Sequence, residues 1–280
     1  MPVRWLAFLA LVLFATRAYG QETAFRWVNP LPSGAYPRLE HGTYASSRMD
    51  LRVGYVVCVP PGYEDPENAA RRYPVVYFLP GGRVGSETSY VGLADVFHEW
   101  VVSGVVPPRL WVFVNGGPEG YFDYGASRAE SSFVEELIPH IDRTYRTVGT
   151  RDGRALEGFS MGRRAAARIA LKYPQLFGST AFLSGGHQKE ELISIAGGRE
   201  DRGDVVLVHE PTSNSWDLAR LHAQRAGEPG VSLLVVVGTE DPNHQGNLDW
   251  MEHLSALGIP FERQVVPNAP HDVVRLLDAI

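Results

Sequence analysis

Short runs of β-branched and aromatic residues alternate with helical segments along most of the chain, and this alternation restricts the fold more than any other feature. Each run is continuously apolar, as in strands that are buried on both faces of a sheet. Chains of this kind build a mostly parallel central sheet with helices on both faces. The sequence therefore predicts an α/β fold. These apolar runs are residues 55–59, 75–79, 110–114, 181–183, 205–208 and 233–237, and a last strand is predicted at 262–266.

Six segments with helical patterns lie between or after these strands. Turns rich in glycine and proline, such as those at 60–62 and 80–82, separate the elements. The sequence contains no internal repeat and no linker, so we predict a single domain over residues 38–280, preceded by an N-terminal extension at 21–37. The predicted helices are residues 91–103, 131–145, 161–173, 217–225, 247–257 and 272–279.

Residues 1–20 have the pattern of a secretory signal peptide. A basic residue precedes an apolar run at 5–15, and the small residues Ala18 and Gly20 suit a cleavage site before Gln21. An uncleaved membrane anchor is the alternative, but a run of about eleven residues is shorter than the roughly 20 needed to span a bilayer. We therefore expect a secreted or periplasmic mature protein without a membrane span.

Charge and cysteine content exclude several classes of function. The formal net charge is −6 and becomes more negative when the two arginines of residues 1–20 are removed. The chain thus lacks the basic surface that nucleic acids and anionic membranes require. Its single cysteine, Cys58, rules out an intramolecular disulfide and any metal site built on clustered cysteines. We expect no nucleic-acid partner, and the sequence does not indicate an oligomeric state.

Residues 158–162 (GFSMG) match the G-x-S-x-G pattern of a nucleophile elbow. A strand-like pair at 155–156 precedes the motif and a helical run follows it, which is the context an elbow requires. The glycines avoid clashes on the strained turn that carries Ser160, and the dipole of the following helix favours negative charge there. We predict that Ser160 is a nucleophile. The alternative is a buried serine in an ordinary strand–turn–helix.

A serine nucleophile needs a histidine to accept its proton and a carboxylate to orient that histidine. In the chain order serine, acid, histidine, only His271 lies in a loop between the last predicted strand, 262–266, and a helix. The acid is expected at the carboxyl end of the preceding strand, and we choose Asp241. Glu240 and Glu210 are its substitutes, and Asp241 has the alternative role of capping the next helix.

Residues 77–82 (YFLPGG) end a predicted strand in a glycine-rich turn. An oxyanion hole takes one backbone N–H group from such a turn and another from the residue after the nucleophile. We therefore predict that the amides of Gly82 and Met161 form this hole. The alternative is that the glycines only make a tight turn.

These motifs together resemble the esterase D / antigen 85-like esterase family of α/β-hydrolases, which includes feruloyl and acetylxylan esterases. The resemblance extends over roughly residues 40–280. The matching segments are 59–63 (VPPGY), 73–79 (YPVVYFL), 136–141 (ELIPHI), 145–146 (YR), 158–162 (GFSMG), 173–174 (YP), 176–178 (LFG), 183–186 (LSGG), 238–241 (GTED) and 270–272 (PHD).

The resemblance implies an α/β-hydrolase fold and the roles already assigned to Ser160, Asp241, His271, Gly82 and Met161. It implies a serine esterase without a metal or organic cofactor. The substrates it implies are small-molecule or polysaccharide-linked esters, such as feruloyl and acetyl esters. Two alternatives remain: an acyltransferase that uses a sugar hydroxyl, and a non-catalytic carbohydrate-binding protein on the same fold.

Two positions depart from the family pattern, because many members have histidine or aspartate at Pro80 and glycine at Arg163. Arg163 lies in the first turn after the nucleophile, and we expect it either to shape the acyl pocket or to point to solvent. Aromatic residues in or near loops are expected to stack on sugar or aryl rings, with Tyr121 and Trp250 assigned as substrate-binding residues. The other aromatic candidates are Tyr90, Phe122, Tyr124 and Trp216.

Overall fold

Eight strands form the central sheet in the part of the chain that the computed structural model describes, which is residues 25–34, 38–82, 86–185, 214–225, 227 and 230–280. The predicted signal peptide and the predicted strand at 205–208 lie outside these residues. The strands of the sheet are β1 (Leu39–Ser46), β2 (Leu51–Cys58), β3 (Val75–Leu79), β4 (Leu110–Val114), β7 (Arg154–Phe159), β8 (Ser179–Leu183), β9 (Ser232–Gly238) and β10 (Glu262–Val266). A separate two-stranded ribbon contains β5 (Asp123–Tyr124) and β6 (Ser127–Arg128).

The strand order across the sheet is β1-β2-β4-β3-β7-β8-β9-β10. The β1–β2 and β2–β4 pairs are antiparallel, and every pair from β4 to β10 is parallel. The carboxyl ends of the parallel strands therefore meet at one edge, where ligands bind in open α/β sheets. The predicted α/β fold with a mostly parallel sheet is confirmed.

Helices cover both faces of the sheet. One buried core joins the sheet to α3, α4, α5 and α6, and a second core on the opposite face joins it to α1 and α7. None of the described helices is both long and apolar enough to cross a membrane. A π-helical turn (Phe133–Leu137) connects the second and third helices. The helices are α1 (Leu93–Val102), α2 (Ala129–Ser132), α3 (Ile138–Thr144), α4 (Met161–Lys172), α5 (Ser215–Gln224), α6 (His244–Ala256) and α7 (Val273–Leu277).

Strand β1 was absent from the sequence prediction. Its residues read LEHGTYAS, a half-polar pattern that leaves only Tyr44 and Ser46 buried. The strand lies at the antiparallel end of the sheet and pairs only with β2 in the described residues. An edge strand of this kind lacks the continuous apolar run by which the central strands were found.

Residues 25–34, part of the predicted extension, are held to the sheet through Glu87. The main-chain and side-chain amides of Asn29 donate hydrogen bonds to this carboxylate over 2.7 and 2.9 Å. The side chain of Asn115, just after β4, donates another over 2.8 Å. Because Glu87 is fully buried, these bonds replace the water that it loses on folding. The domain boundary at residue 38 stays a prediction.

A second buried carboxyl lies on the central strand β7. Glu157 is 7 % exposed, and it has no hydrogen-bond or ion-pair partner among the described residues. Burial raises the pKa of Glu157 from 4.5 to about 7, and the charge of Arg109 opposes that shift. Between about pH 4.5 and 7, Glu157 therefore stays protonated in the folded protein and ionises in the unfolded chain. The free energy of unfolding falls as the pH rises through this range.

We expect Glu157→Gln to increase the free energy of unfolding at about pH 8, by up to about 3 kcal/mol, because the amide carries no charge to bury. At about pH 4 the gain should disappear, since the wild-type carboxyl is then protonated in both states. Urea unfolding at the two pH values measures the difference. The exposed Glu262→Gln is the matched control and should change stability by less than about 0.5 kcal/mol. An equal gain at both pH values would contradict the burial of an unpartnered charge.

Candidate active site

Ser160 lies on the turn between β7 and α4, at the carboxyl edge of the sheet. Its backbone has φ 57° and ψ −118°, a region that residues other than glycine rarely occupy. The turn is tight because a Cβ atom on Gly162 would overlap the carbonyl oxygen of Leu79, and one on Gly158 would overlap that of Gly162. The glycines of the motif are therefore required by close packing, as the sequence predicted.

Three predicted residues meet at this turn. His271 Nε2 lies 3.0 Å from Ser160 Oγ, and His271 Nδ1 lies 2.8 Å from Asp241 Oδ2. With the Nδ1 proton donated to the carboxylate, Nε2 accepts the proton of the serine hydroxyl. The imidazole stacks on the ring of Phe159 with 4.7 Å between ring centroids, and its side chain is 30 % exposed. A substrate therefore has access to the histidine while Phe159 supports its buried face.

The Asp241 carboxylate follows β9, and its side chain is fully buried. Burial alone would raise its pKa. Hydrogen bonds from His271, from the Ser184 hydroxyl and from the Asn243 amide, together with the charge of His271, outweigh burial and hold the pKa of Asp241 below its ordinary value. The Asn243 amide donates over 2.7 Å. Asp241 thus stays an anion at neutral pH and orients the imidazole.

Two further side chains in this network escaped the sequence prediction. The Ser184 hydroxyl donates to Asp241 Oδ2 and lies 3.2 Å from His271 Nδ1. Asn243 Nδ2 lies 3.4 Å from the same imidazole nitrogen. Ser184 has φ 47°, a left-handed conformation at the end of β8 that turns its side chain toward the carboxylate. Its place in the segment 183–186 (LSGG) was the signal that could have identified it.

The alternative acids are not part of this network. Glu240 is exposed. Its backbone amide donates to the Ala269 carbonyl, and its carboxylate bonds to none of the described residues. Glu210 lies outside the described residues. No three His, Cys, Asp or Glu side chains in the described part of the chain are grouped so that they could hold a metal ion.

The predicted oxyanion turn lies directly against the nucleophile. A Cβ atom on Gly81 would lie 2.9 Å from Ser160 Cβ, and Gly82 has φ 92° with open space where its Cβ would be. Met161 begins α4. The amides of Gly82 and Met161 donate no hydrogen bond within the described residues. Met161 directly follows Ser160 and Gly82 directly follows Gly81, so both amides belong to the two segments that meet at the nucleophile.

The predicted contact of Tyr121 with substrate is contradicted by its position. Tyr121 is completely buried, and its hydroxyl donates to the Pro80 carbonyl over 3.1 Å. Its own carbonyl accepts from Arg168 over 2.6 Å, and Arg168 forms a buried ion pair with Glu130. Tyr121 has no free face for a ring to stack on, and it supports the turn that leads to Gly81.

Trp250 and Arg163 also differ from expectation. Trp250 lies in α6 and is completely buried, so it cannot stack on a substrate in this conformation. Arg163 is equally buried, with its guanidinium carbon 5.1 Å from the ring centroid of Phe182 and 5.2 Å from that of Trp250. The expectation that Arg163 points to solvent is therefore wrong. Its role in shaping the acyl pocket stays a prediction.

The sheet order and the serine on a strand-to-helix turn define an α/β-hydrolase fold. The family described as "Putative esterase" has a model that matches residues 46–257, and the chain belongs to that family. The similarity covers most of the sheet, from the end of β1 through α6.

Curated relatives and solved structures agree with this assignment. Esterase Rv1288 of Mycobacterium tuberculosis (strain ATCC 25618 / H37Rv) is 27 % identical over 265 residues, which covers 83 % of this chain and 55 % of the relative. The chain thus spans about half the length of that relative. The Endo-1,4-beta-xylanase/feruloyl esterase of Xylanibacter ruminicola is 34 % identical over 134 residues, or 44 % of this chain and 18 % of the relative.

Among solved structures, the CE1 ferulic acid esterase AmCE1/Fae1A from Anaeromyces mucronatus, in complex with ferulic acid, superposes with a TM-score of 0.66. It is 20 % identical, and the match covers 90 % of this chain and 91 % of that one. At this identity the likeness shows a shared fold.

Proposed function

We propose that this chain is an exported serine esterase that hydrolyses carboxylic esters through an acyl-enzyme on Ser160. The observation that carries the proposal is the hydrogen-bonded series from Ser160 Oγ through the His271 imidazole to Asp241, with contacts of 3.0 and 2.8 Å. A serine hydroxyl is a weak nucleophile at neutral pH, and this arrangement is the one that activates it.

In the first half of the reaction, Ser160 Oγ attacks the ester carbonyl carbon while His271 Nε2 takes the hydroxyl proton. The imidazole becomes a cation, which the Asp241 carboxylate stabilises without accepting the proton. The tetrahedral intermediate then collapses, and His271 returns the proton to the departing alcohol oxygen. The acyl group remains on Ser160.

In the second half, water attacks the acyl-enzyme with His271 as base, and the acid is released. The negative oxygen of both tetrahedral intermediates needs hydrogen-bond donors that are fixed in advance. The amides of Gly82 and Met161 are suited to this role, because they flank the contact between Gly81 and Ser160 and donate no hydrogen bond to any described residue. The N-terminus of α4 adds its dipole at the same place.

We propose small acyl or aryl esters, including carbohydrate-linked feruloyl and acetyl esters, as substrates. The names of the relatives, which include a feruloyl esterase and a ferulic acid esterase, support this class. We propose Tyr90 as an aromatic side chain that contacts an aryl group. It is half-buried, and its ring centroid lies 5.8 Å from that of Phe159, which in turn stacks on His271.

Hydrolysis of p-nitrophenyl acetate and methyl ferulate tests the proposal. Ser160→Ala and His271→Ala should each lower kcat by about 10⁴-fold or more, because each removes a group that acts in the transition state. Asp241→Asn should lower it by about 10³- to 10⁴-fold, because the amide no longer fixes the imidazole tautomer. Stopped assays with purified variants measure these rates.

Two control variants match the catalytic ones. Glu240→Gln alters the exposed carboxylate next to Asp241, and Ser255→Ala removes an exposed serine hydroxyl on α6. Both should retain wild-type rates. Activity that survives Ser160→Ala would refute the mechanism. An inactive Glu240→Gln beside an active Asp241→Asn would move the acid to Glu240. No turnover of either ester by the wild type would favour acyl transfer or carbohydrate binding.

Tyr121→Phe should lower kcat roughly 2- to 10-fold with little change in KM, the effect of losing one hydrogen bond that positions the oxyanion turn through the Pro80 carbonyl. Tyr63→Phe is the control. The Tyr63 hydroxyl accepts a hydrogen bond of 3.0 Å from the Arg146 amide, and this bond is not part of the serine site. The substitution should reduce stability and leave kcat intact. A rise in KM alone for Tyr121→Phe would mean that the hydroxyl serves ground-state binding.

Export is the remaining part of the proposal and rests on residues 1–20. When the full chain is expressed in a bacterium, the exported protein should begin at Gln21, as N-terminal sequencing can establish. Leu11→Arg, in the middle of the apolar run, should keep the protein in the cytoplasm with its leader attached, because a charge there prevents insertion. Correct export of Leu11→Arg would remove the support for a signal peptide.

A further inference from the structure

A cavity lies on the sheet face that carries α1, toward the amino ends of the parallel strands. Its volume is about 240 Å³, enough for a molecule with one ring. Two indole rings, those of Trp100 and Trp111, line it, together with Arg109 and Glu157. Ser160, at the opposite end of β7, is not among the lining residues. We call this space the Glu157 cavity.

The strand register explains why the Glu157 cavity exists. Glu157 pairs with Ala181, Ala181 with Leu234, and Leu234 with Glu262, so these four side chains form one row on this face. The adjacent row contains Ala155, Ser179 and Ser232. Small side chains over the middle of the sheet leave space that the neighbouring helices do not fill.

Glu157 is the polar group that gives this space a chemical preference. The side chain is more than nine-tenths buried and lines the cavity. No described residue bonds to its carboxyl. The Arg109 guanidinium lines the same space, and its charge lowers the pKa of Glu157. It forms no hydrogen bond or ion pair with that carboxyl, since its Nε donates to the Pro107 carbonyl over 3.1 Å and its carbon lies 5.8 Å from the Trp111 ring centroid. A buried carboxyl without a hydrogen-bond partner is costly, and a bound cation would reduce that cost.

The remaining charges favour the same ligand class. Two carboxylates, Glu157 and Glu262, line the cavity against one guanidinium, that of Arg109, so the balance is negative. The Trp111 ring is already covered, because Phe97 stacks on it with 4.4 Å between ring centroids and the Arg109 guanidinium lies over it. The half-buried Trp100 indole can bury a flat apolar group. A ligand that combines an ammonium group with an aromatic body satisfies the charge and the Trp100 ring at once.

We propose that the Glu157 cavity is a binding site for a small organic cation, a primary ammonium group on a flat apolar body. The ammonium group pairs with Glu157, and the apolar body lies against the indole ring of Trp100. The site is separate from the serine and binds without chemical change. Phe159, two residues further along the same strand, lies between Glu157 and the His271 imidazole.

Calorimetry with 2-phenylethylammonium at about pH 8, where the carboxylate form of Glu157 is populated, tests the proposal. The wild type should bind one equivalent, and Glu157→Gln should bind roughly tenfold more weakly or not at all, as expected for loss of a charge-assisted hydrogen bond. Glu262→Gln, at the exposed rim, should change the Kd by less than about threefold. Ala181→Leu, which fills the floor of the cavity, should abolish binding.

Two comparisons separate this site from others. Ser160→Ala should bind the cation as the wild type does, because the ligand does not occupy the ester site. The neutral 2-phenylethanol and the anionic 3-phenylpropionate should both bind more weakly than the cation. The proposal is overturned by tighter binding of the anion, by equal cation binding in Glu157→Gln, or by no saturable binding to the wild type. Thermal unfolding confirms that each variant is folded before its affinity is compared.

Discussion

The close approach of the first turn of α4 to the end of β3 is the constraint on which the site depends. Gly162 lies so near the Leu79 carbonyl that a side chain cannot be accommodated there. With the helix this close, the chain between β7 and α4 has room for one residue, and Ser160 takes a left-handed conformation. Strain of this kind costs about 1–3 kcal/mol and persists where the surrounding packing enforces it.

The same contact assembles the rest of the site. Leu79 is followed by Pro80, Gly81 and Gly82, so the residue that crowds the helix also leads into the proposed oxyanion turn. Behind that turn, the buried Tyr121 hydroxyl bonds to the Pro80 carbonyl. Because the carboxyl ends of β7, β8 and β9 lie side by side, Ser160, Ser184 and Asp241 come together without any long loop having to bridge them.

The sequence predicted most of this arrangement because the relevant signals are local. Continuous apolar runs identify central strands, and the spacing of small residues around Ser160 reflects backbone crowding within one turn. His271 and Asp241 follow from chain order relative to those strands. β1 was missed because an edge strand is half polar. Ser184 was missed because its partners are distant in sequence and its orientation depends on a positive φ angle at the end of β8. Asn243 was missed because its side chain lies near His271, which is 28 residues away in sequence.

The burial of the aromatic residues could not be predicted from the local sequence. Tyr121 belongs to a polar, glycine-rich loop, yet it is completely buried because Arg168 on α4 holds its carbonyl. Trp250 is buried because its helix packs on the core beside Arg163. Burial of a loop residue is decided by side chains that are remote in sequence, so residue type and loop position do not predict which aromatic rings reach a substrate.

Asp241 and Glu157 show how one sheet determines the state of two buried carboxyls. Asp241 lies where three donors converge, so it is held as an anion despite burial. Glu157 lies among apolar side chains on the central strand, where only the charge of Arg109 opposes desolvation, and its pKa rises to about 7. The carboxyl edge of a parallel sheet offers loop amides and hydroxyls, whereas the interior of a strand has already used its amides in the ladder. A carboxyl at the edge can therefore be satisfied by amides and hydroxyls of neighbouring loops, and one within the sheet face lacks these donors.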